Sequence, residues 1–195
     1  MKTTVLTGAA VLALGLAACS STPEQTGKAK SPASTSRTAM ATTSTVQRAH
    51  VNLASASGSI VSGKLTVTPM GDGVHFRGEI GGFKPNSTHA IHIHEKGDCS
   101  AADASSAGGH FNPAGVKHGR MSTPPHHAGD MDNIVADAKG VAKVDAHASG
   151  PVLGGGAPND AIGRAVIVHA SADDYTSQPA GDAGARVACG VIQAG

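Results

Sequence analysis

Residues 89–95 read HAIHIHE. From Ile91 to His94 apolar and polar side chains alternate, which is the period of a β-strand. His92 and His94 share one face of that strand, while His89, Ile91 and Ile93 share the other. The isoleucines seek the core, so His92 and His94 point outward from the sheet. Two imidazoles on one face of a rigid strand make half of a metal site. A lone His-x-His is common, however, and fits a solvated or structural pair equally well.

The same strand signature recurs on both sides of this stretch. HVNLAS (50–55), SIVSGKLTV (59–67), VHFRGEI (74–80), NIVADA (133–138), VAKVDAHA (141–148), AVIVHA (165–170) and RVACGVI (186–192) complete a set of eight β-rich runs broken by Gly, Asn, Asp and Pro. MGDG (70–73) and DAKG (137–140) have the composition of hairpin turns. No stretch beyond the N-terminus sustains a helical period. The expected class is therefore all-β, an antiparallel sandwich or barrel. With no Trp, one Tyr and three Phe, its core must be built from Val, Ile, Leu and Ala.

Two segments do not fit a compact β domain. Residues 96–131 and 172–185 are long, weakly hydrophobic connections, and such loops need something other than a core to order them. The first holds GGHFNPAGVKHG and HHAGDMDN, so His110, His118, His127 and Asp130 bring three imidazoles and a carboxylate into one loop. That donor set suits tetrahedral Zn²⁺. The motif also contains His126, directly beside His127. The second loop follows VIVHASADD, with His169 at a strand end and Asp173 shortly after it. His50, His75 and His147 lie on strands without ligand partners at suitable spacing, and read as surface or structural residues.

The formal net charge of +1 gives no single-sign field for nucleic acid. The apolar run from Val5 to Ala18, preceded by Lys2, is too short to span a bilayer and reads as an export signal over residues 1–18. It ends in Leu16-Ala17-Ala18-Cys19, which resembles the lipobox of bacterial lipoproteins and implies lipidation at Cys19. Residues 19–45 are then the lipidated cysteine and a Ser/Thr/Ala/Pro-rich tether, with little to bury. The globular domain occupies residues 46–195.

Taken in order, HIHEKGDC (92–99), GGHFNP (108–113), KHG (117–119), HAGD (127–130), GRAVIVHASADD (163–174) and GARVACGVI (184–192) resemble the copper/zinc superoxide dismutases over residues 48–193. The resemblance implies an eight-stranded antiparallel Greek-key barrel or sandwich with two long functional loops. It assigns copper to His92, His94, His110 and His169, and zinc to His110, His118, His127 and Asp130, with a His110 imidazolate bridging the metals. Asp173 matches the carboxylate that hydrogen-bonds one ligand of each metal, and Arg186 the arginine that guides the anion. Cys99 and Cys189 match the family disulfide. The implied reaction is disproportionation of superoxide to dioxygen and hydrogen peroxide, with copper cycling between Cu(II) and Cu(I) and protonation at His110. Lys96 and Lys117 are candidates for steering the substrate. The implied setting is the bacterial cell envelope, facing the periplasm, with membrane contact only through Cys19. A homodimer is compatible with this reading. The competing reading is a lipid-anchored copper/zinc buffer without turnover.

Overall fold

The computed structural model describes residues 39–195; the apolar run, Cys19 and the tether up to residue 38 lie outside the described residues. Among the described residues there are nine strands: β1 (Ala49–Ser55), β2 (Ser62–Met70), β3 (Gly73–Gly81), β4 (Thr88–His89), β5 (Ile91–His94), β6 (Ile134–Val135), β7 (Ala142–Ser149), β8 (Ala165–His169) and β9 (Arg186–Ala194). Seven of them form one antiparallel sheet in the order β5-β8-β9-β1-β2-β3-β7, while β4 and β6 form a short ladder of their own. That ladder joins the two ends of the sheet. β4 runs through Ala90 into β5, and β6 approaches β7 through an Ala136–Ala142 bridge. The sheet thus curls into a barrel.

Each of the eight β-rich runs contains a strand, but HAIHIHE holds two. The chain changes partner at Ala90: His89 pairs with Ile134 of β6, whereas Ile91–His94 pair with β8. Ala90 itself donates its N–H to Ser171 and accepts from the His169 N–H. A strand that changes partners makes a corner, as expected where a sheet folds over. NIVADA contracts to Ile134–Val135 because Asp137 leaves the ladder to accept N–H groups from Lys139 and Val141, which closes the turn to β7.

Alternation decides what each strand buries. On β8, Val166 and Val168 enter the main core with Ile91, Ile93, Phe76 and Ile192. Ala165 and Ile167 face the other way, into a smaller cluster with Ala104, Ala107 and Cys189. His92 lies opposite Ile167 and His94 opposite Ala165, so both histidines occupy this second, outer face. They point away from the barrel core, as parity requires, yet they are almost fully buried, at 0% and 1% exposure. The long loop covers them. Phe111 donates its N–H to Ile93, Ile93 donates to Gly129, and Glu95 donates to Gly109, so the loop pairs the free edge of β5.

The Cys99–Cys189 disulfide ties that loop to β9 across 90 residues of sequence. At the opposite end of the chain, packing begins several residues before the expected domain boundary. Asn159 pairs with both the N–H and the carbonyl of Ala41, and Leu153 accepts the N–H groups of Thr45 and Val46.

Candidate metal centre

Two quartets of side chains converge on the outer face of β5 and β8. The first is His92, His94, His110 and His169; the second is His110, His118, His127 and Asp130. All are buried, and within each quartet the candidate ligand atoms lie within 4.8 Å of one another. β5 supplies His92 and His94, and β8 supplies His169 at a β-bulge between Val168 and His169. A bulge re-aims the side chain that follows it. The long loop contributes the other members, including His110, which belongs to both quartets.

Hydrogen bonds settle which ring nitrogen each histidine can offer. His92 donates from Nε2 to Asp173 (2.8 Å), His94 from Nδ1 to the Gly108 carbonyl (2.9 Å), and His127 from Nε2 to the Val116 carbonyl (3.1 Å). His118 donates from Nε2 to Asp173 (3.0 Å) and turns Nδ1 toward Asp130 Oδ1 (3.0 Å). His110 Nδ1 also meets Asp130 Oδ1, at 2.8 Å. The opposite nitrogens of these rings, and Nε2 of His169, remain buried without a partner. Among the described residues seven buried side-chain N or O atoms are orphaned in this way, and six of them belong to the quartets. Orphaned buried donors or acceptors cost about 1–3 kcal/mol each. These six converging ring nitrogens are what a bound metal would satisfy, and imidazole-rich sets of four fit copper and zinc.

Asp130 and Asp173 organise the rings. Asp130 Oδ2 accepts the backbone N–H groups of His127 and Gly119, which leaves Oδ1 for the quartet. Burial opposes its ionisation, but contacts with His110, His118 and His127 hold the carboxyl far below the usual carboxylate range. Asp173 joins His92 of one quartet to His118 of the other, the placement of a carboxylate that fixes ligand rings. Burial raises its pKa, yet hydrogen bonds from His118 and His92 outweigh this and lower it.

Arg186 opens the other side of the centre. It donates to the carbonyls of Ala104 (2.7 Å) and Gly108 (2.6 Å), and it lines a cleft with His94, His110, His169 and Lys117. Lys96 is not among the cleft-lining residues. Burial lowers the Arg186 pKa from its ordinary value, but guanidinium stays protonated across the working range. The Gly108 carbonyl thus holds both His94 and Arg186.

His126 enters neither quartet; its Nδ1 donates to the His127 carbonyl. His89 also stays outside them, but it is not idle. Its ring stacks on Phe83 and donates from Nδ1 to the His169 carbonyl (2.9 Å), bracing the bulge that aims His169. Sequence reasoning also passed over Asn133 and Gln178. Asn133 exchanges two hydrogen bonds with the Asp173 backbone, and Gln178 exchanges two with the His118 backbone. Side-chain amides that pair with a distant backbone leave no periodic or motif signal.

Gly181 is the least replaceable glycine here. Its φ is +71°, and a Cβ would fall 1.8 Å from Asp173 Oδ1 and 2.9 Å from His118 Nε2. Gly181→Ala is expected to displace Asp173 and weaken metal binding by about 10- to 100-fold, the usual cost of losing such a support. Chelator competition checks this. Unchanged affinity would contradict the role given to Asp173.

The histidine environment also predicts how the metal-free chain responds to acid. Burial lowers His110 to about 4 and His169 to about 3, from an ordinary 6.5. The unfolded chain therefore binds more protons than the folded one as pH falls from 6.5 toward 4, and stability drops. His118 behaves oppositely: burial opposes protonation, but Asp130 and Asp173 raise it to about 9. Its contribution is fully present below 6.5 and is lost as pH rises from there toward 9. It cannot offset the acid slope. Urea midpoints of the metal-free protein should fall between pH 6.5 and 4; a flat profile would refute this.

Residues 61–192 match the family model described as copper/zinc superoxide dismutase. The chain is 41% identical over 149 residues to Superoxide dismutase [Cu-Zn] 2 of Aquifex aeolicus, spanning 75% of this chain and 86% of that protein. It is 42% identical over 139 residues to Superoxide dismutase [Cu-Zn] of Caulobacter vibrioides, spanning 68% and 78% respectively. Among solved structures, a SOD-like protein from Bacillus subtilis superposes with a TM-score of 0.66 at 36% identity, covering 73% of this chain and 96% of the other. Family, barrel and donor sets agree: the chain belongs to the copper/zinc superoxide dismutases and is an enzyme that disproportionates superoxide with copper and zinc as cofactors.

Proposed function

We propose that the two quartets divide the metals by their chemistry. Copper goes to the four imidazoles of His92, His94, His110 and His169; zinc goes to His110, His118, His127 and Asp130, where a carboxylate joins three imidazoles. His110 is the imidazolate shared between them. When bound, copper supplies one-electron exchange between Cu(II) and Cu(I), and zinc supplies fixed positive charge.

The remaining work falls to the chain. Arg186 binds and orients the superoxide anion in the cleft that it lines with His94, His110 and His169. Two superoxide ions and two protons give one dioxygen and one hydrogen peroxide, so a proton must reach a buried site. His110 Nε2, buried and unpartnered, is the atom able to accept and return it. Asp130 and Asp173 keep the rings in register throughout. Lys117 adds positive charge to the cleft lining, and Glu95 adds negative charge to it.

The observation that carries this reading is the sharing of His110 by two buried quartets with Arg186 in the same cleft. A metal buffer needs no such arginine. Arg186→Ala should retain copper and zinc but lose roughly 10- to 100-fold in turnover, equivalent to the 1.5–3 kcal/mol of a charge-assisted hydrogen bond. Undiminished turnover in that variant would overturn the role of Arg186.

We also propose that the enzyme works outside the cytoplasm, lipid-anchored through Cys19 in the cell envelope, facing the periplasm. The Cys99–Cys189 disulfide supports an oxidising compartment. The tether would run from Cys19 to about residue 40, where Asn159 takes hold of the chain.

A further inference from the structure

Among the described residues, six of the seven orphaned buried nitrogens mark the metal centre, and the seventh is His147 Nδ1, on β7 and outside both quartets. His147 lies directly across from His75 of β3. Residues opposed on neighbouring antiparallel strands have Cβ atoms about 4.5–5.5 Å apart, close enough for both side chains to reach one ion. The two rings lie 6.4 Å apart at an interplanar angle of 49°. His92 and His94 of the metal centre lie 6.5 Å apart at 47°.

Each ring is also prepared in the manner of a ligand. His147 Nε2 meets Asp72 Oδ1 at 2.8 Å, and His75 Nε2 meets Asp145 Oδ1 at 2.6 Å. Carboxylates accept and cannot donate, so in each neutral ring the proton sits on Nε2 and the lone pair on Nδ1. A histidine whose second nitrogen is held by a carboxylate is the usual arrangement behind a metal ligand. Asp72 is further fixed by the Ser149 hydroxyl. Both carboxylates are largely exposed at the rim and contribute negative potential, which Arg77 partly offsets at Asp145.

We propose that His75 and His147 form a second, labile cation site on the outside of the barrel, taking an imidazole-preferring divalent ion with water completing its coordination. By the order of divalent affinities at nitrogen sites, Cu²⁺ is the ion it holds best. With two protein ligands rather than four, the site exchanges its ion readily. It stands apart from catalysis, since neither residue lines the active cleft.

The test is Cu²⁺ titration of the enzyme already loaded with copper and zinc, followed by electron paramagnetic resonance. The wild type should take one further, chelator-accessible Cu²⁺ per chain with a nitrogen-coordinated signal. His75→Ala and His147→Ala should each weaken that uptake at least about tenfold, while turnover is unchanged. A His50→Ala/His126→Ala variant should retain it. No further equivalent in the wild type, or one that survives in His75→Ala/His147→Ala, would overturn the proposal. So would its loss in the His50/His126 variant alone.

Discussion

His110→Ala is expected to lose superoxide turnover by at least about 100-fold and to lower the affinity of both metals together. The reason is positional. His110 is the one side chain common to the two buried quartets, and its ring lies 4.1 Å from that of His92 and 5.2 Å from that of His118. Removing a supporting residue costs about 10- to 100-fold in affinity or activity, and under the proposed assignment, in which His110 serves both sites, its removal must cost at least as much. Alanine also strips Asp130 of a contact at 2.8 Å, so the second quartet loses geometry as well as a donor. Single-variant measurements of metal content and turnover check this. Loss at one site with an intact second site would contradict the sharing of His110.

The second large effect concerns stability. Cys99→Ser/Cys189→Ser should lower unfolding free energy by about 4–5 kcal/mol, the loop-entropy value for a closure of this length. The bond spans 90 residues and joins the metal-covering loop to β9. Its loss reaches the active site by a short route, because the same loop carries the Gly108 carbonyl that holds His94 and Arg186. The double variant should therefore lose turnover as well as stability. Urea denaturation of the metal-loaded protein gives the first quantity, and a midpoint equal to that of the wild type would refute the argument.

Much of this centre is legible in the sequence because its parts obey short-range rules. Alternation separates His92 and His94 from the isoleucines, as the pairing with β8 shows, and the H-x-x-D pattern of the family the sequence resembles points to His127, the one of the pair that lies in a quartet. Exposure is a different matter. Parity says which face a side chain takes, but not what later covers that face. His92 and His94 are buried by a loop that pairs with the backbone edge of their own strand. The break at Ala90 is equally invisible, since β4 and β5 differ only in the partners that fold up beside them. His89, Asn133 and Gln178 act through backbone atoms 40 to 80 residues away, and no local pattern encodes such contacts. The strap at Ala41–Val46 looks like linker by composition; the Asn159 amide pairs with the Ala41 backbone, Leu153 accepts from Thr45 and Val46 and donates to the Ser44 hydroxyl, and Val46 packs against the core.

One measurement bears most directly on the shared histidine. If His110 is shared as proposed, loading the first quartet with Cu²⁺ and the second with Co²⁺ would place two paramagnetic ions on one imidazolate and couple their spins through the ring. The account predicts that the Cu²⁺ resonance disappears when Co²⁺ is added and returns when cobalt is removed by chelation. A full-intensity copper signal in the doubly loaded protein would contradict it, because the two ions would then share no ligand.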